Sequence, residues 1–454
     1  MLSPIFKPFV EQSPISVMAR GMMERVLNPD QLNQWFDTTA NEQYTKNLLF
    51  SSLFDIMSQV VQGTRASVHA AYQASKQDIC VSITSVYNKL NGIETDTSAE
   101  LVRYASGQIE PIIKKLGGTT PDPLPGLRVK LLDGNCIEKS HHRIKELRSL
   151  SAGPLPGKSL VVYDPVMRLP IDVFPCEDGH SQERALLKDV LSTIKRNDAW
   201  IADRNFCTLD FTCSIASKKA YFVIREHKKY PFELLGKEKY IGKTETGRVY
   251  EQSIVVVDAA GNGHTFRRIR VKLTKATRDG DNDICIICNL SKTKANAKMI
   301  AELYRGRWTI ETAFQHLADF FNSEINALGY PRAALFGFCV ALVSYTVLSV
   351  IKAALGSVYG VKVVENELSG YYLADEISGT YRGMLIAIPG ENWSVFQRMT
   401  PHKLTTVLSK LSENVKLSQF QKHPRGPKKP QPKRKSLKKS PHVSTAQIIS
   451  KRKK

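Results

Sequence analysis

Cysteine is scarce in this sequence, with only 8 among 454 residues, and no secretory signal opens the chain. This composition excludes a small secreted scaffold held together by disulfides. Cys285 and Cys288 form the only CxxC pair, and one such pair without a second is a poor zinc-binding pattern. We therefore expect packed strand cysteines in a reducing cytosol.

Long hydrophobic runs are also rare. The longest uncharged segment, Ala333–Ile351, is long enough to raise the question of a transmembrane helix, and no comparable second run exists. Ser344, Thr346 and Ser349 interrupt it. A helix buried in the protein core is therefore the preferred interpretation, and no membrane is expected as a partner.

Acidic residues are also scarce. The chain has 43 Asp and Glu and 64 Lys and Arg, which gives a formal net charge of +21. Residues 420–454 contain 13 Lys and Arg and no acidic residue, which leaves +8 for the rest of the chain. This charge favours a polyanionic partner, most commonly nucleic acid, over a membrane surface. The proline-broken segment 420–454 is predicted to be a basic disordered tail, with either a DNA-binding or a solubilising role.

Residues 1–120 show helical apolar spacing with Pro and Gly between the segments, which predicts a helical N-terminal domain. Short helices joined by tight turns are compatible with a helix-turn-helix that binds DNA ends, and equally with a plain helical bundle. The Pro- and Gly-rich segment 117–126 marks a domain boundary.

Beyond that boundary, strands alternate with helices, which predicts an α/β protein. Apolar strands end at Asp133 and Asp203, and the order strand, strand, strand, helix, strand is that of an RNase H-like core. We assign residues 127–227 to the first part of this core, 228–290 to a β-rich insertion, and 291–419 to the second part of the core with C-terminal helices. One continuous helix is predicted over residues 297–322.

That helix carries Tyr304, Arg307 and Glu311 on one face. Arg307 and Glu311 form either an ordinary ion pair on a solvated face, or a phosphate-binding arginine beside a metal-binding glutamate. Asp133 and Asp203 come from two other segments that an RNase H-like core brings together with Glu311. Each carboxylate alone is more commonly an exposed or salt-bridged side chain, but three together make sense around cations. Oxygen ligands suit Mg²⁺, and two ions ~3.5–4 Å apart can promote phosphodiester cleavage.

These residues carry a resemblance to a known family. The spacing Tyr304-x2-Arg307-x3-Glu311 resembles the start of the YREK signature of DDE transposases in insertion-sequence family four. The segments DGN at 133–135 and ADRNF at 202–206 resemble the first and second catalytic aspartate motifs of that family. The β-rich segment and the N-terminal segment FVEQSPISVMARGMMERVLNP are also similar to family members, so the resemblance covers essentially the whole chain.

The resemblance implies that Asp133, Asp203 and Glu311 are catalytic residues that hold two Mg²⁺, with Mn²⁺ as a substitute. One ion would activate water to nick the transposon end, and the new 3′ hydroxyl would attack the opposite strand and later the target DNA. The implied partners are double-stranded DNA, as terminal inverted repeats and target, and a second copy of the chain in a synaptic homodimer. The implied location is the bacterial cytoplasm, at the nucleoid. The implied DNA-phosphate contacts are Tyr304, Arg307 and Arg204.

The sequence departs from the signature at one position. A lysine is expected after a six-residue gap beyond the glutamate, and Ala318 stands there instead, so its phosphate contact is lost or made by another basic residue. Arg204 could equally pair with a carboxylate, and Trp308 is expected in the core rather than against a base. The alternative function is a decayed or repurposed transposase that binds DNA without cutting it. A non-transposing nuclease of RNase H type is a third option, although it needs neither the basic tail nor the large helical N-terminal region.

Overall fold

The structure is a computed structural model that describes residues 2–43, 45, 47–138, 140–277, 280–423 and 442–451. Its strands are β1 Arg128–Ile137, β2 Gly153–Leu155, β3 Gly157–Asp164, β4 Leu169–Cys176, β5 Asp198–Ala202, β6 Tyr221–Arg225, β7 Glu233–Lys243, β8 Gly247–Val257, β9 Gly263–Leu273, β10 Asp283–Cys288 and β11 His442–Ser444. Its α-helices are α1 Lys7–Gln12, α2 Pro14–Val26, α3 Pro29–Thr39, α4 Phe50–Val61, α5 Val68–Ala74, α6 Ile83–Gly92, α7 Thr95–Leu116, α8 Leu187–Thr193, α9 Leu209–Ser217, α10 Ala297–Arg305, α11 Trp308–Phe320, α12 Pro331–Tyr359, α13 Val361–Glu367, α14 Gly370–Ala387, α15 Gly390–Gln397, α16 Pro401–Glu413 and α17 Thr445–Ser450.

Nine of the strands form one mixed sheet in the order β4-β3-β1-β5-β6-β10-β9-β8-β7. The first five strands of this order have the RNase H-like arrangement, because β3 runs antiparallel to both β1 and β4, whereas β1, β5 and β6 are parallel. Parallel neighbours need a crossover connection, which α9 provides between β5 and β6. The predicted α/β class and RNase H-like core are confirmed.

The β-rich region extends this sheet instead of forming a sheet of its own. β10 pairs with β6 in antiparallel orientation, and β9, β8 and β7 continue outward by antiparallel pairing. The sequence analysis missed β7, because this edge strand is exposed along nearly all of its length and has no buried face to impose an alternating pattern. Its pairing with β8 shifts register near Gly236 and Gly242, which both have positive φ.

The helix α12 is at the centre of the molecule. It is long and apolar enough to cross a membrane, but its most apolar window is wholly buried inside the protein. It packs against α4, α7 and α16 and against the strand β4. This agrees with the predicted buried core helix.

The N-terminal helices share one hydrophobic core with the C-terminal helices. α2 packs against α14, α15 and α16, and α7 packs against α12 and β4. Phe6 meets Phe396 edge to face with ring centroids 6.3 Å apart, and Arg20 Nη1 donates to the Tyr381 hydroxyl at 3.0 Å. Residues near the two ends of the chain therefore stabilise one another, although sequence spacing treated them as separate regions.

The continuous helix predicted over residues 297–322 is wrong. α10 ends at Arg305 and α11 begins at Trp308, because the N–H groups of Arg307 and Thr309 donate to carbonyls three residues earlier instead of four. Gly306, which costs a helix interior stability, lies at the break.

The predicted disordered tail lies partly outside the described residues, at 424–441 and 452–454. Residues 442–451 are ordered, and here the prediction is corrected. β11 pairs in parallel with β2, and the Ser444 side chain accepts the backbone N–H of Gln447 at the start of α17. Gln447 Nε2 donates to Asp178 at 2.8 Å, which ties this segment to the loop after β4.

Candidate active site

Two aspartates lie side by side in the middle of the sheet. Leu132 on β1 pairs with Ala202 on β5 in parallel register, so Asp133 and Asp203 are the next residues along two neighbouring strands. Asp203 directly follows the end of β5, as predicted. Asp133 does not end its strand, because β1 keeps its pairing with β3 for four more residues.

Arg307 joins this pair of strands to the broken helix. Its side chain, only 7% exposed, donates from Nη1 to Asp133 at 2.7 Å and from Nη2 to Glu311 at 2.5 Å. Its Nε is buried without a hydrogen-bond partner in the described part of the chain. The ordinary pair with Glu311 is therefore present, but its arginine is buried and also pairs with Asp133.

Negative charge outweighs positive charge at this place. Burial raises the pKa of Asp133 to about 6, and the charges of Glu311 and Asp203 add to the rise, while Arg307 and the Gly134 N–H oppose it. Burial also disfavours the charge of Arg307, but its neighbours, Asp133 first, outweigh burial and raise its pKa. Arg307 pairs with two of the three carboxylates, and Asp203 has no ion pair with a described residue, so a further cation would be stabilised here.

The donor atoms suit a hard divalent cation, but their present arrangement does not hold one. Among the residues that the structure describes, no three Asp, Glu, His or Cys side chains form a group that could ligate one metal ion. The Arg307 guanidinium lies between Asp133 and Glu311. Carboxylate oxygens are the ligands that Mg²⁺ prefers, so the side-chain types present here suit that ion.

A comparison with protein families assigns this region. Residues 137–345 match the family described as Transposase DDE domain. The chain carries a transposase DDE domain. The matched segment includes Asp203 and Glu311 and begins just after Asp133. The narrower resemblance to insertion-sequence family four stays a prediction.

Two further similarities accompany the DDE domain. The chain is 27% identical over 208 residues to y4zB of Sinorhizobium fredii, a protein named as a transposase, and the alignment covers 44% of this chain and 55% of that relative. The chain thus spans about half the length of this curated relative. A cryo-EM structure of the piggyBac transposase synaptic complex with hairpin DNA has a TM-score of 0.37 and 8% identity, covering 86% of this chain and 84% of that chain. Similarity at that level is too low to support a shared mechanism.

Residues of the DDE domain that were predicted to contact DNA differ in exposure. Tyr304 is buried below the Arg307 guanidinium, 5.9 Å from its ring centroid, and burial raises the pKa of the phenol to about 12. Arg204 is exposed and pairs with no carboxylate of the described residues. Ala318, at the signature lysine position, is exposed on α11. Only Arg204 is open to a DNA phosphate in this conformation.

Trp308 corrects the expectation of a core residue, because 60% of it is exposed. It is the first residue of α11, directly after the break, and the Arg307 guanidinium lies 5.6 Å from its ring centroid. An exposed tryptophan beside the carboxylates is therefore a feature that the sequence analysis missed.

Glu183 is a second residue that the sequence analysis missed. Its carboxylate lies so close to Gly134 that an added Cβ would come within 2.2 Å of Oε1. Asn205 Nδ2 donates to it at 3.3 Å, so Glu183 lies against both of the predicted aspartate motifs, 133–135 and 202–206. The signal was the glycine directly after Asp133, because glycine permits such a close approach.

Proposed function

We propose that this protein is a DNA transposase that cuts phosphodiester bonds at the terminal inverted repeats of its insertion sequence and joins the ends to target DNA. The observation that supports the proposal is that Arg307 pairs with both Asp133 and Glu311, while Asp203 lies beside Asp133 on the neighbouring strand. Asp203, Arg307 and Glu311 belong to the segment that matches a transposase DDE domain, and Asp133 lies just before it. Carboxylates held close together at a partly exposed sheet position are costly for folding, and such sites are commonly functional.

Asp133, Asp203 and Glu311 are the proposed catalytic residues and metal ligands. Two Mg²⁺ ions, replaceable by Mn²⁺, would supply activation of the attacking hydroxyl and stabilisation of the leaving oxygen. The raised pKa of Asp133 supports this assignment, because a buried carboxylate with two acidic neighbours gains stability from a bound cation.

Arg307 is proposed to exchange its carboxylate partners for a DNA phosphate. A guanidinium forms paired hydrogen bonds equally well with carboxylate and with phosphate. When DNA arrives, the exchange would release Asp133 and Glu311 for cations, and Tyr304, which packs against Arg307, would follow it. Binding of DNA would therefore promote binding of the metal ions. Arg204, already exposed beside Asp203, would contact phosphate without rearrangement.

Double-stranded DNA is the proposed partner, and the formal charge of +21 supports it. The helical region 1–120 is proposed to bind the DNA ends. A homodimer is proposed because two ends have to be held together for joining. The proposed place of action is the bacterial cytoplasm, at the nucleoid.

The deciding experiment incubates the purified protein with linear DNA that carries the flanking ends of its gene, in Mg²⁺ and in Mn²⁺. Wild type should cut at the ends, and Glu311→Ala should not, although it should still bind the DNA. Glu302→Ala is the matched control, because it removes an exposed glutamate from the neighbouring helix α10 and should leave cleavage intact.

Binding without cleavage by wild type would favour the alternative function, a decayed or repurposed transposase that binds DNA without cutting. Ala318 in place of the signature lysine is the observation that supports this alternative. Cleavage that survives in Glu311→Ala would refute the assignment of the catalytic residues.

A further inference from the structure

A basic pocket lies on the Asp203 side of the carboxylates. It has a volume of about 480 Å³ and is formed where the turn after β5, the loop after β6 and the strand β10 meet. Nine residues line it, and they include more basic than acidic side chains: Arg204, Arg225, Glu226, His227, Lys228, Lys229, Asp281, Asp283 and Cys285. The activity proposed above assigns no role to this pocket beyond Arg204.

The acidic residues of the pocket are neutralised by arginines. The three ion pairs are Glu226 with Arg268 at 2.5 Å, Asp281 with Arg225 at 2.6 Å, and Asp283 with Arg270 at 3.2 Å. Because each carboxylate already has a positive partner, none of them cancels the charge of the remaining cations.

Three cations are left over. Arg204, Lys228 and Lys229 are exposed, and they form no ion pair with any described residue. Two of these cations act on His227, because burial and then the charges of Arg184, Lys229 and Arg204 lower the pKa of its ring. The ring is uncharged at neutral pH, and its Nδ1 accepts the backbone N–H of Lys229 at 3.2 Å, which leaves Nε2 as a donor.

We infer that this pocket binds the phosphodiester backbone of duplex DNA beside the cleavage site. The inference rests on the proposed transposase function and extends it to residues outside the signature motifs. Arg204 directly follows Asp203, and the sheet order β1-β5-β6-β10 sets the pocket on the side of β5 opposite to Asp133 and Arg307. DNA phosphates would thus be held on both sides of the carboxylates.

The distance from this pocket to the two aspartates fits a DNA phosphate close to the bond that is cut. Adjacent strands are about 4.8 Å apart, so the loop after β6 lies roughly 5–10 Å from the two aspartate positions on β1 and β5. One strand of B-DNA advances about 3.4 Å per nucleotide, which corresponds to one to three nucleotides from the cut. The guanidinium of Arg204 can hold two phosphate oxygens, whereas Lys228 and Lys229 act as point charges.

The test measures how DNA affinity depends on salt in the absence of divalent metal. Each neutralised phosphate contributes about 0.9 to the slope of log K against log salt concentration. We expect the double variant Lys228→Ala/Lys229→Ala to reduce this slope by about 1–2 and to weaken binding about tenfold at 0.15 M salt. The control Lys403→Ala/Lys410→Ala removes the same charge from the exposed face of α16 and should leave the slope unchanged.

Two DNA substrates distinguish the source of the phosphate. If the pocket holds the element's own end, the pocket variant weakens binding to the end duplex and slows cleavage. If it holds target DNA, end binding and cleavage stay normal, and joining of a pre-cut end to a plasmid falls about tenfold.

If Lys228→Ala/Lys229→Ala bound DNA with the wild-type salt dependence, and cut and joined DNA normally, the inference would be overturned. The proposed function would remain intact. Loss of cleavage in Glu311→Ala is a separate result, because the salt slope is measured without metal. A wild-type protein that binds neither DNA would overturn both proposals.

Discussion

The strand β5 has a carboxylate at each end, Asp198 as its first residue and Asp203 directly after its last residue, and the negative charge is balanced differently at the two ends. At the start of β5, Asp198 is completely buried. It accepts from Arg128 at 2.7 Å, from Lys130 at 2.9 Å and from the backbone N–H of Lys195 at 2.9 Å. Two cations thus surround one carboxylate, which is the arrangement that a purely structural buried charge requires.

At the other end of β5, one arginine pairs with two of three neighbouring carboxylates. Asp133 and Glu311 both pair with Arg307, and Asp203 lies beside them without an ion pair to any described residue. The pKa of Asp133 is raised to about 6, mainly because of its burial. The comparison teaches that a deficit of positive charge, rather than the presence of buried carboxylates, distinguishes the candidate active site from a structural ion pair.

The largest expected effect comes from removing charge at the functional end. Asp133→Asn keeps the shape of the side chain but removes a proposed metal ligand. Cleavage should fall by about 10³-fold or more, because metal ions contribute several kcal/mol to transition-state stabilisation. The melting temperature should not fall, because a costly buried charge is removed and Arg307 keeps its pair with Glu311. Cleavage assays and thermal unfolding of the same preparation check both points.

The matching substitution at the start of β5 should lower the stability of the protein rather than its cleavage activity. Asp198→Asn leaves Lys130 without its carboxylate in a mostly buried position, so we expect a loss of about 3 kcal/mol in unfolding free energy. Cleavage by the protein that remains folded should stay normal. Urea unfolding measures the loss, and Asp189→Asn on the exposed side of α8 is the control. If Asp133→Asn and Asp198→Asn had the same effects, the comparison between the two ends would be wrong.

Much of the functional end was predictable from the sequence. Parallel strands with buried residues on both faces read as apolar runs, and the carboxylates that follow them fall at the same edge position. That pattern is enough to bring Asp133 and Asp203 together. The nine-stranded sheet keeps this core arrangement and only adds strands at its outer edge.

Other features depend on contacts between distant segments, which a sequence pattern does not encode. At the helix break, the N–H groups of Arg307 and Thr309 donate three residues back, and the buried Arg307 side chain pairs with Asp133 on a distant strand. Trp308 is the first residue after that break and is 60% exposed. The edge strand β7 was missed for a related reason, because it has no buried face that would produce an alternating apolar pattern in the sequence.

Arg307 itself provides a third, smaller test of the charge deficit. If it takes the place of a cation, Arg307→Gln should bind Mn²⁺ more tightly than wild type in the absence of DNA. Hydrogen bonds to charged groups contribute about 1.5–3 kcal/mol, so the affinity should rise about tenfold or more. Electron paramagnetic resonance of free Mn²⁺ measures this affinity without any activity assay. Arg305→Gln, at a half-exposed neighbouring position, is the control. Equal affinity in wild type and Arg307→Gln would show that the arginine does not compete with metal.

The smallest expected effect concerns Lys352, whose positive charge nearby acidic groups do not fully balance and which lies at neither end of β5. Lys352 on α12 is mostly buried, and burial, reinforced by Arg168 and Lys422 and opposed by Glu365, lowers its pKa to about 8. Because the folded state releases this proton before the unfolded state does, wild-type stability should rise with pH between about 8 and 10.5.

Lys352→Met should therefore be more stable than wild type by about 1–2 kcal/mol at pH 7, and the difference should shrink as the pH approaches 10. Urea unfolding at several pH values gives both quantities, and the exposed substitution Lys403→Met should show neither. Cleavage should be unaffected, because the groups whose charges act on Lys352 include none of the three proposed catalytic residues. A gain that did not depend on pH would mean that packing of the methionine, rather than removal of an unpaired charge, stabilised the helix. The unbalanced negative charge around Asp133 would then be a better candidate than Lys352 for a charge that is retained for function.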